Sequence, residues 1–358
     1  MDSDFNEWVK IALSDATFPQ TLALDILSNP NLDLLCLVAA AGEVRMTYFG
    51  RQVMLHRIND IQNGLCPEDC GYCAQSKISD APIKKYPLKS EEEIIQEAHE
   101  AKAKGVYRYC LVSSGRGPTA DRTQHLAHII RRIKTEVGIQ TCLSAGLMDQ
   151  EQATILKAAG LDRLNHNLNT SESHTPDIVT THTFQDRINT LKAARSAGLD
   201  LCSGMIAGMG ETDQDIVDVA YQLHQYQVPS IPINFLIPIS GNPIYDCNQL
   251  TPQRCLRILC LFRFVNPKAE IRIGGGREGH LRGLQALALY PANSLFVEGY
   301  LATRGHSIDQ VYQLIYDAGF EVAGDVSSSK NLSSTSQFQL DNNPNILNPL
   351  TTINSPNP

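Results

Sequence analysis

One alternation repeats along most of the chain and narrows its fold more than any other feature. Short β-branched or aromatic runs give way to longer amphipathic runs, several of which end at glycine. The strand-like runs are VMLHRIN (53–59), VYRYCLV (106–112), IQTCLS (139–144), DRLNHN (162–167), LDLCSGMI (199–206), SIPINFLI (230–237), EIRI (270–273) and NSLFVEG (293–299). The run TADRTQHLAHIIRRIKTEVG sets Leu126, Ile129, Ile130 and Ile133 on one helical stripe. SEEEIIQEAHEAKAKG opens with Ser90 and carries Glu93 three residues on, a predicted capping box. TPQRCLRILCLFRF has Thr251 as cap and Pro252 at its first helical position. About eight strand–helix units in this length predict an α/β protein of the (β/α)8 TIM-barrel type, with a doubly wound open sheet as the alternative.

The flanks read differently. Residues 1–48 predict a helical extension with a break at Pro30, the barrel occupies 49–322, and residues 327–358 turn to Ser, Asn, Thr and Pro. That last composition predicts a disordered C-terminal tail, since it offers too little apolar surface to order itself. Apolar residues make up 42% of the 358, enough for a large core, and the net charge of −8 argues against a nucleic-acid or anionic-membrane surface. There is no run long enough to span a bilayer. The start MDSDFNEWVKIALSD is acidic and amphipathic, without the basic and apolar regions of a secretory signal. A reducing cytoplasm follows, in which the ten cysteines serve metal binding or catalysis rather than disulfides.

Three of them fall in NGLCPEDCGYCAQS, at Cys66, Cys70 and Cys73, just after the first strand and so on the face where barrels place their chemistry. Thiolates this close suit a soft metal. Structural zinc wants four protein ligands, and the next cysteine, Cys110, lies beyond a helix. A [4Fe–4S] cluster on three cysteines keeps one iron open for a ligand. Zinc remains the competing reading. A second set, Cys110, Cys142 and Cys202, sits near the middle of three predicted strands. Inward positions there would converge near the barrel axis, and Arg272 of EIRIGGG could join them. Each could equally be an ordinary buried small residue, as read for Cys36, Cys247, Cys255 and Cys260, and Arg272 could pair with Glu270 or Glu278.

The loop C-x3-C-x2-C, with Tyr72 before the last cysteine, resembles the signature of the radical S-adenosylmethionine (SAM) superfamily. GLCPEDCGYCAQS, YCLVSSGRGP, LNHNLNTS, CSGMIAGMGET, IPINFL and IRIGGGRE then occur in the order expected of the biotin synthase family, over roughly residues 40–320. The resemblance implies a [4Fe–4S] cluster on Cys66, Cys70 and Cys73 whose open iron binds SAM. It implies a [2Fe–2S] cluster on Cys110, Cys142, Cys202 and Arg272 that gives up sulfur to dethiobiotin. It points to Asn167 and Asn234 for the ureido ring, with Asn167 also near the SAM ribose. Asn169 stands where some members have aspartate, Arg187 would face the SAM carboxylate, and Tyr72 would line the cofactor. The family also implies a homodimer, an external flavodoxin- or ferredoxin-like electron donor and cluster-assembly machinery.

Several of these residues have plainer readings: Asn169 as turn punctuation, Arg187 in a surface ion pair, His166 as a satisfied wall residue. The glycine-rich GMIAGMGET lacks the context of a dinucleotide loop and would permit close backbone approach to SAM. The rivals to biotin synthase are a related barrel of the hydrogenase-maturase type and a non-enzymatic metal-binding barrel.

Overall fold

The computed structural model describes residues 3–245, 250–301 and 305–324, which belong to one compact unit. The predicted tail and Cys247 lie outside the described residues. Three helices, α1 (Ser3–Leu13), α2 (Gln20–Ser28) and α3 (Leu34–Phe49), precede the first strand, with α2 ending just before Pro30. Then come β1 (Gln52–Gln62), α4 (Glu91–Ala103), β2 (Arg108–Ser113), α5 (Ala120–Arg132), β3 (Gln140–Ser144), α6 (Gln150–Ala158) and β4 (Arg163–Asn165). The short α7 (Thr175–Ile178) precedes α8 (Phe184–Ser196), β5 (Asp200–Cys202), β6 (Met205–Ala207), α9 (Asp213–Gln225) and β7 (Ser230–Phe235). Last are α10 (Pro252–Val265), β8 (Glu270–Ile273), α11 (Arg277–Leu281), α12 (Gln285–Ala288), β9 (Ser294–Phe296), α13 (Ile308–Asp317) and β10 (Glu321–Val322).

The sheet runs β1-β2-β3-β4-β5-β7-β8-β9, all parallel, and closes because β1 pairs with β9 as well as β2. β6 continues the line of β5 past Ser203 and Gly204 and pairs with β7, so the two act as one interrupted barrel strand. Each predicted strand is present and the sheet is closed rather than open. β10 adds to the start of β1, at Gln52 and Val53.

Local chemistry explains the helix starts. Thr119, Asp149, Thr183, Thr212, Thr251 and Ser307 each accept a backbone N–H at N3 of the helix they precede. Ser90 does the same for α4, but the return bond of the predicted capping box is not made. Glu93 turns instead toward Lys89, at 3.8 Å. The N-terminal helices pack on the barrel's outer face against α9 and α10. Trp8 and Phe18 close on Phe264, and Arg257 donates to the carbonyl of Ile26 (2.8 Å), which the end of α2 leaves open, and to that of Leu32 (3.0 Å) in the following turn. No helix of the described residues is long and apolar enough to cross a membrane.

Asp60 on β1 is a costly residue in this packing. Burial lifts its carboxyl from the usual 3.8 to about 7, against the pull of Lys89, and Oδ1 has no hydrogen-bond partner among the described residues. The folded chain therefore holds a proton that the unfolded chain releases near pH 4. Stability from this group is present below that value and is lost as pH rises toward 7. Asp60→Asn should accordingly stabilise the apoprotein at pH 8 by on the order of 1 kcal/mol after solvent screening at this partly exposed site, read as a higher melting temperature. It should also flatten the fall in melting temperature between pH 4 and 7. A variant whose pH slope matches the parent's would show that Asp60 does not carry this effect.

Candidate active site

The strand registers decide what meets inside the barrel. In parallel pairs, partnered residues point to the same side of the sheet and alternate along each strand. Cys110 is in register with Cys142, Asn165 with Cys202, Cys202 with Ser230, and Pro232 with Arg272. One inward face therefore carries Cys110, Cys142, Cys202 and Arg272 from four strands. The three cysteines form their own buried cluster, capped by Ile58 and Phe296. Arg272 Nη1 donates to Cys202 Sγ at 3.5 Å, and Asn165 Nδ2 does so at 3.2 Å. The thiols are hydrogen-bonded in a chain through Cys142. That bond lowers Cys110 from the usual thiol value, lifts Cys142 to about 12 and raises Cys202.

Barrel interiors are usually filled by branched aliphatic side chains. Here the layer beneath the cysteines, toward the N-terminal ends of the strands, is polar. It contains His56 from β1, Arg108 from β2, Arg163 from β4, Ser230 from β7, Glu270 from β8 and Ser294 from β9, all buried. Glu270 takes Arg163 Nη1 at 2.7 Å and Arg272 Nη2 at 2.5 Å. His56 Nε2 lies 2.9 Å from Glu270 Oε1, off the line of a straight hydrogen bond. Burial lowers His56 to about 3, so this contact is not an ion pair. Three guanidinium groups (Arg108, Arg163 and Arg272) thus face one carboxylate, an excess of two positive charges under three thiols. Buried charge without compensation is costly. An anionic group of thiolates and metal is what this floor suits.

The outer set sits on the irregular segment after β1. Cys66 N donates to Gln75 O, Cys73 N to Cys70 O and Ser76 N to Cys73 O, which folds the loop back on itself. Gly71 fixes it to the barrel: its N–H donates to Ile178 O and its carbonyl accepts from Ile244 N, both at 2.9 Å. A Cβ on Gly71 would stand 3.0 Å from Ile244 Cδ1, a tight approach that glycine relieves. Burial raises Cys70 and lifts Cys73 to about 12. Both are therefore protonated at neutral pH until a metal displaces the proton. Among the described residues, no group of three or more His, Cys, Asp and Glu side chains has the geometry of a site for a single ion.

The remaining predicted residues lie between the two sets. A cavity of about 120 Å³ is lined by the inner cysteines, Asn167, Asn234 and Tyr300. An adjoining one, also of about 120 Å³, is lined by Tyr72, Cys73, Ile206 and, again, Asn234 and Tyr300. Asn167 Oδ1 accepts from Asn165 Nδ2 and Gly204 N, both at 3.1 Å, which leaves Nδ2 without a partner among the described residues. Asn234 is tied to backbone at both ends, to Met205 O (3.2 Å) and Gly275 N (2.9 Å). Asn169 has a left-handed backbone (φ 69°), as turn punctuation requires, yet its Nδ2 also donates to the Tyr72 hydroxyl.

Arg187 is not on a surface ion pair: it is buried, with Nη1 on Asn167 O (2.8 Å) and Nη2 on His182 Nε2 (2.6 Å). His182 donates through Nδ1 to Glu68, which also binds Arg116 at 3.0 Å and the Thr181 hydroxyl at 2.6 Å. His166 is buried but not satisfied, since its Nε2 has no partner among the described residues. The first glycine of GMIAGMGET also has a structural role. A Cβ on Gly204 would meet Pro232 O at 1.8 Å, so that glycine serves strand packing. Sequence reading missed Glu68, His182, His56, Arg163 and the part Glu270 plays, because the partners that give them meaning are distant in the chain.

Comparison with known proteins completes the picture. The profile of the Radical SAM superfamily matches residues 63–222, and that of the Biotin and Thiamin Synthesis associated domain matches 232–321. The biotin synthase of Acaryochloris marina is 89% identical over 345 residues, covering 96% of this chain and 100% of the relative. That of Magnetococcus marinus is 52% identical over 299 residues, covering 84% and 93%. Among solved structures, methylornithine synthase aligns with a TM-score of 0.74 at 20% identity, covering 88% of this chain and 97% of that one. The FeFe-hydrogenase maturase of Carboxydothermus hydrogenoformans aligns at 0.76 and 17%, covering 89% and 79%. At such identities these two structures establish the shared barrel and nothing finer.

Proposed function

The chain belongs to the biotin synthase family of the radical SAM superfamily, and on that premise we propose that its two cysteine sets divide the reaction between them. It is an enzyme that makes biotin from dethiobiotin, with SAM, a [4Fe–4S] cluster and a [2Fe–2S] cluster as cofactors. When bound, the first cluster and SAM supply the radical that removes hydrogen from saturated carbon, and the second supplies the inserted sulfur.

The protein's own residues bind, orient and shield. In this reading Cys66, Cys70 and Cys73 hold the outer cluster, and Cys110, Cys142, Cys202 and Arg272 hold the inner one. Arg187 binds the SAM carboxylate, with its orientation set by His182 and Asn167 O. Tyr72, Asn167 and Asn169 line the rest of the cofactor. Asn167 and Asn234 bind the ureido ring. The unpartnered Nδ2 of Asn167 suits the ureido carbonyl, since a neutral ring needs a donor rather than a charge.

The observation that carries this reading is the pair of adjoining cavities, with Asn234 and Tyr300 in both walls, the three inner cysteines in one and Cys73 of the outer loop in the other. A substrate held there lies between the radical source and the sulfur source, so positioning alone selects the reacting carbons. The same reading extends to a cytoplasmic homodimer, an external flavodoxin- or ferredoxin-like electron donor and cluster-assembly machinery.

Anaerobically reconstituted protein should contain iron and sulfide for both clusters and, with SAM, a reductant and dethiobiotin, should yield biotin together with 5′-deoxyadenosine. SAM cleavage without biotin would favour a related barrel acting on another substrate, of the hydrogenase-maturase type. Absence of SAM cleavage in fully loaded protein would favour a metal-binding barrel.

A further inference from the structure

The inner site needs its arginine turned in one direction, and the chain contains a device for that. Arg272 and Glu270 are two apart on β8, so both side chains point into the barrel. Arg272 divides its guanidinium between two jobs. Nη2 is taken by Glu270 Oε1 (2.5 Å) and by the Ser230 hydroxyl (2.8 Å), while Nη1 is directed at Cys202 Sγ (3.5 Å). The plane also lies over the Phe296 ring, 5.2 Å from its centroid. Glu270 is itself anchored from another strand, by Arg163 Nη1 on β4 at 2.7 Å, with the neutral His56 of β1 packed 2.9 Å away. Both Arg272 and Glu270 are buried, so neither has water as a substitute partner.

We propose that Glu270 is the positioning residue of the inner site: clamped by Arg163, it holds Nη2 of Arg272 and thereby presents Nη1 to the three thiols. This rests on the reading that those thiols carry the inner cluster. A flexible arginine has many rotamers, and a planar fork fixed at one edge by a carboxylate has few. Without the carboxylate, Arg272 would keep only Ser230 and the ring face. Glu270 also removes one of the excess positive charges that would otherwise stand under the cluster.

The test uses full-length, anaerobically reconstituted protein. In Glu270→Gln, the shape is retained and the charge is lost. The expected result is an inner cluster whose absorption and low-temperature magnetic spectra shift toward those of Arg272→Ala, with inner iron lost at least several-fold faster on anaerobic dialysis. SAM cleavage by the outer cluster should stay within about twofold of the parent, which shows that the barrel has folded. The decisive comparison is the double variant. If Glu270 acts through Arg272, then Glu270→Gln added to Arg272→Ala changes the spectrum and iron retention no further. Additive changes, or a parental spectrum in Glu270→Gln, overturn the proposal. Should Glu270→Gln not fold, Ser230→Ala removes the other Nη2 partner. A smaller spectral shift in the same direction then supports the clamp, and no shift overturns it. A parent protein without any inner cluster defeats the cluster reading itself, a result distinct from all of these.

Discussion

Replacing any one of Cys66, Cys70 or Cys73 by alanine should abolish SAM cleavage while leaving the barrel folded. The loop that carries them is held by backbone, not by its thiols. Gly71 is bonded on both sides, to Ile178 and Ile244, and Lys77 N donates to Glu68 O at 3.0 Å. Removing one sulfur therefore leaves the turn in place. Cys70 is the most buried of the three at 9% exposure, and its truncation should cost about 1 kcal/mol of stability, within what an average core change costs. The chemical cost is of another order. Three thiolates are the least that hold four irons with one left open, and a variant with two has no replacement near by. The expected loss is at least about two orders of magnitude in 5′-deoxyadenosine formation, with circular dichroism and melting temperature close to the parent's. Full cleavage by a Cys70→Ala protein that holds no outer cluster would remove the basis for assigning these residues.

Much of this fold can be read from the chain because its signals are local. A β-branched run followed by a capped amphipathic helix and a glycine is informative within some thirty residues, and the eight strands emerge from such units. The outer cysteines are legible for the same reason, since their spacing lies within one loop. The inner set is half legible. That Cys110, Cys142 and Cys202 fall mid-strand is visible in the sequence, but that all three face inward depends on register, which the pleat fixes only once the barrel closes. Least legible are residues whose meaning is a long-range partner. Glu270 looks like an ordinary strand residue until Arg163 and His56, which lie 107 and more residues away, are brought to it. Arg187 shows the converse. On a helix beginning TFQD it reads as a surface cation, yet the turn of α8 buries it against Asn167 and His182. The packing role of Gly204 is hidden for a related reason: nothing in GMIAGMGET announces Pro232 of the neighbouring strand.

The inner cysteines should separate radical formation from product formation. Cys110→Ala, Cys142→Ala and Cys202→Ala each remove a buried thiol from the cluster that lies against Arg272, on strands away from the outer loop. Biotin formation should fall below detection, since the sulfur source is lost or disordered, while SAM cleavage persists. Cys142 is the middle of the hydrogen-bonded chain, joined to Cys110 on one side and Cys202 on the other. Its removal should disturb both neighbours and give the largest loss of inner iron. Arg272→Ala should behave differently. It removes no thiolate, and the three cysteines can still hold the iron pair, so activity should fall less than in the cysteine variants while the inner spectrum changes. The measurement is 5′-deoxyadenosine and biotin side by side in all four proteins. A normal biotin yield from Cys142→Ala would return these residues to the ordinary core. Parallel loss of both products in every variant would instead tie the inner set to the integrity of the whole barrel. The bonded floor beneath the thiols makes separation the physically favoured outcome. That floor can tolerate a missing sulfur without unfolding, because its carboxylate and guanidinium groups are bonded to one another across β4, β7 and β8.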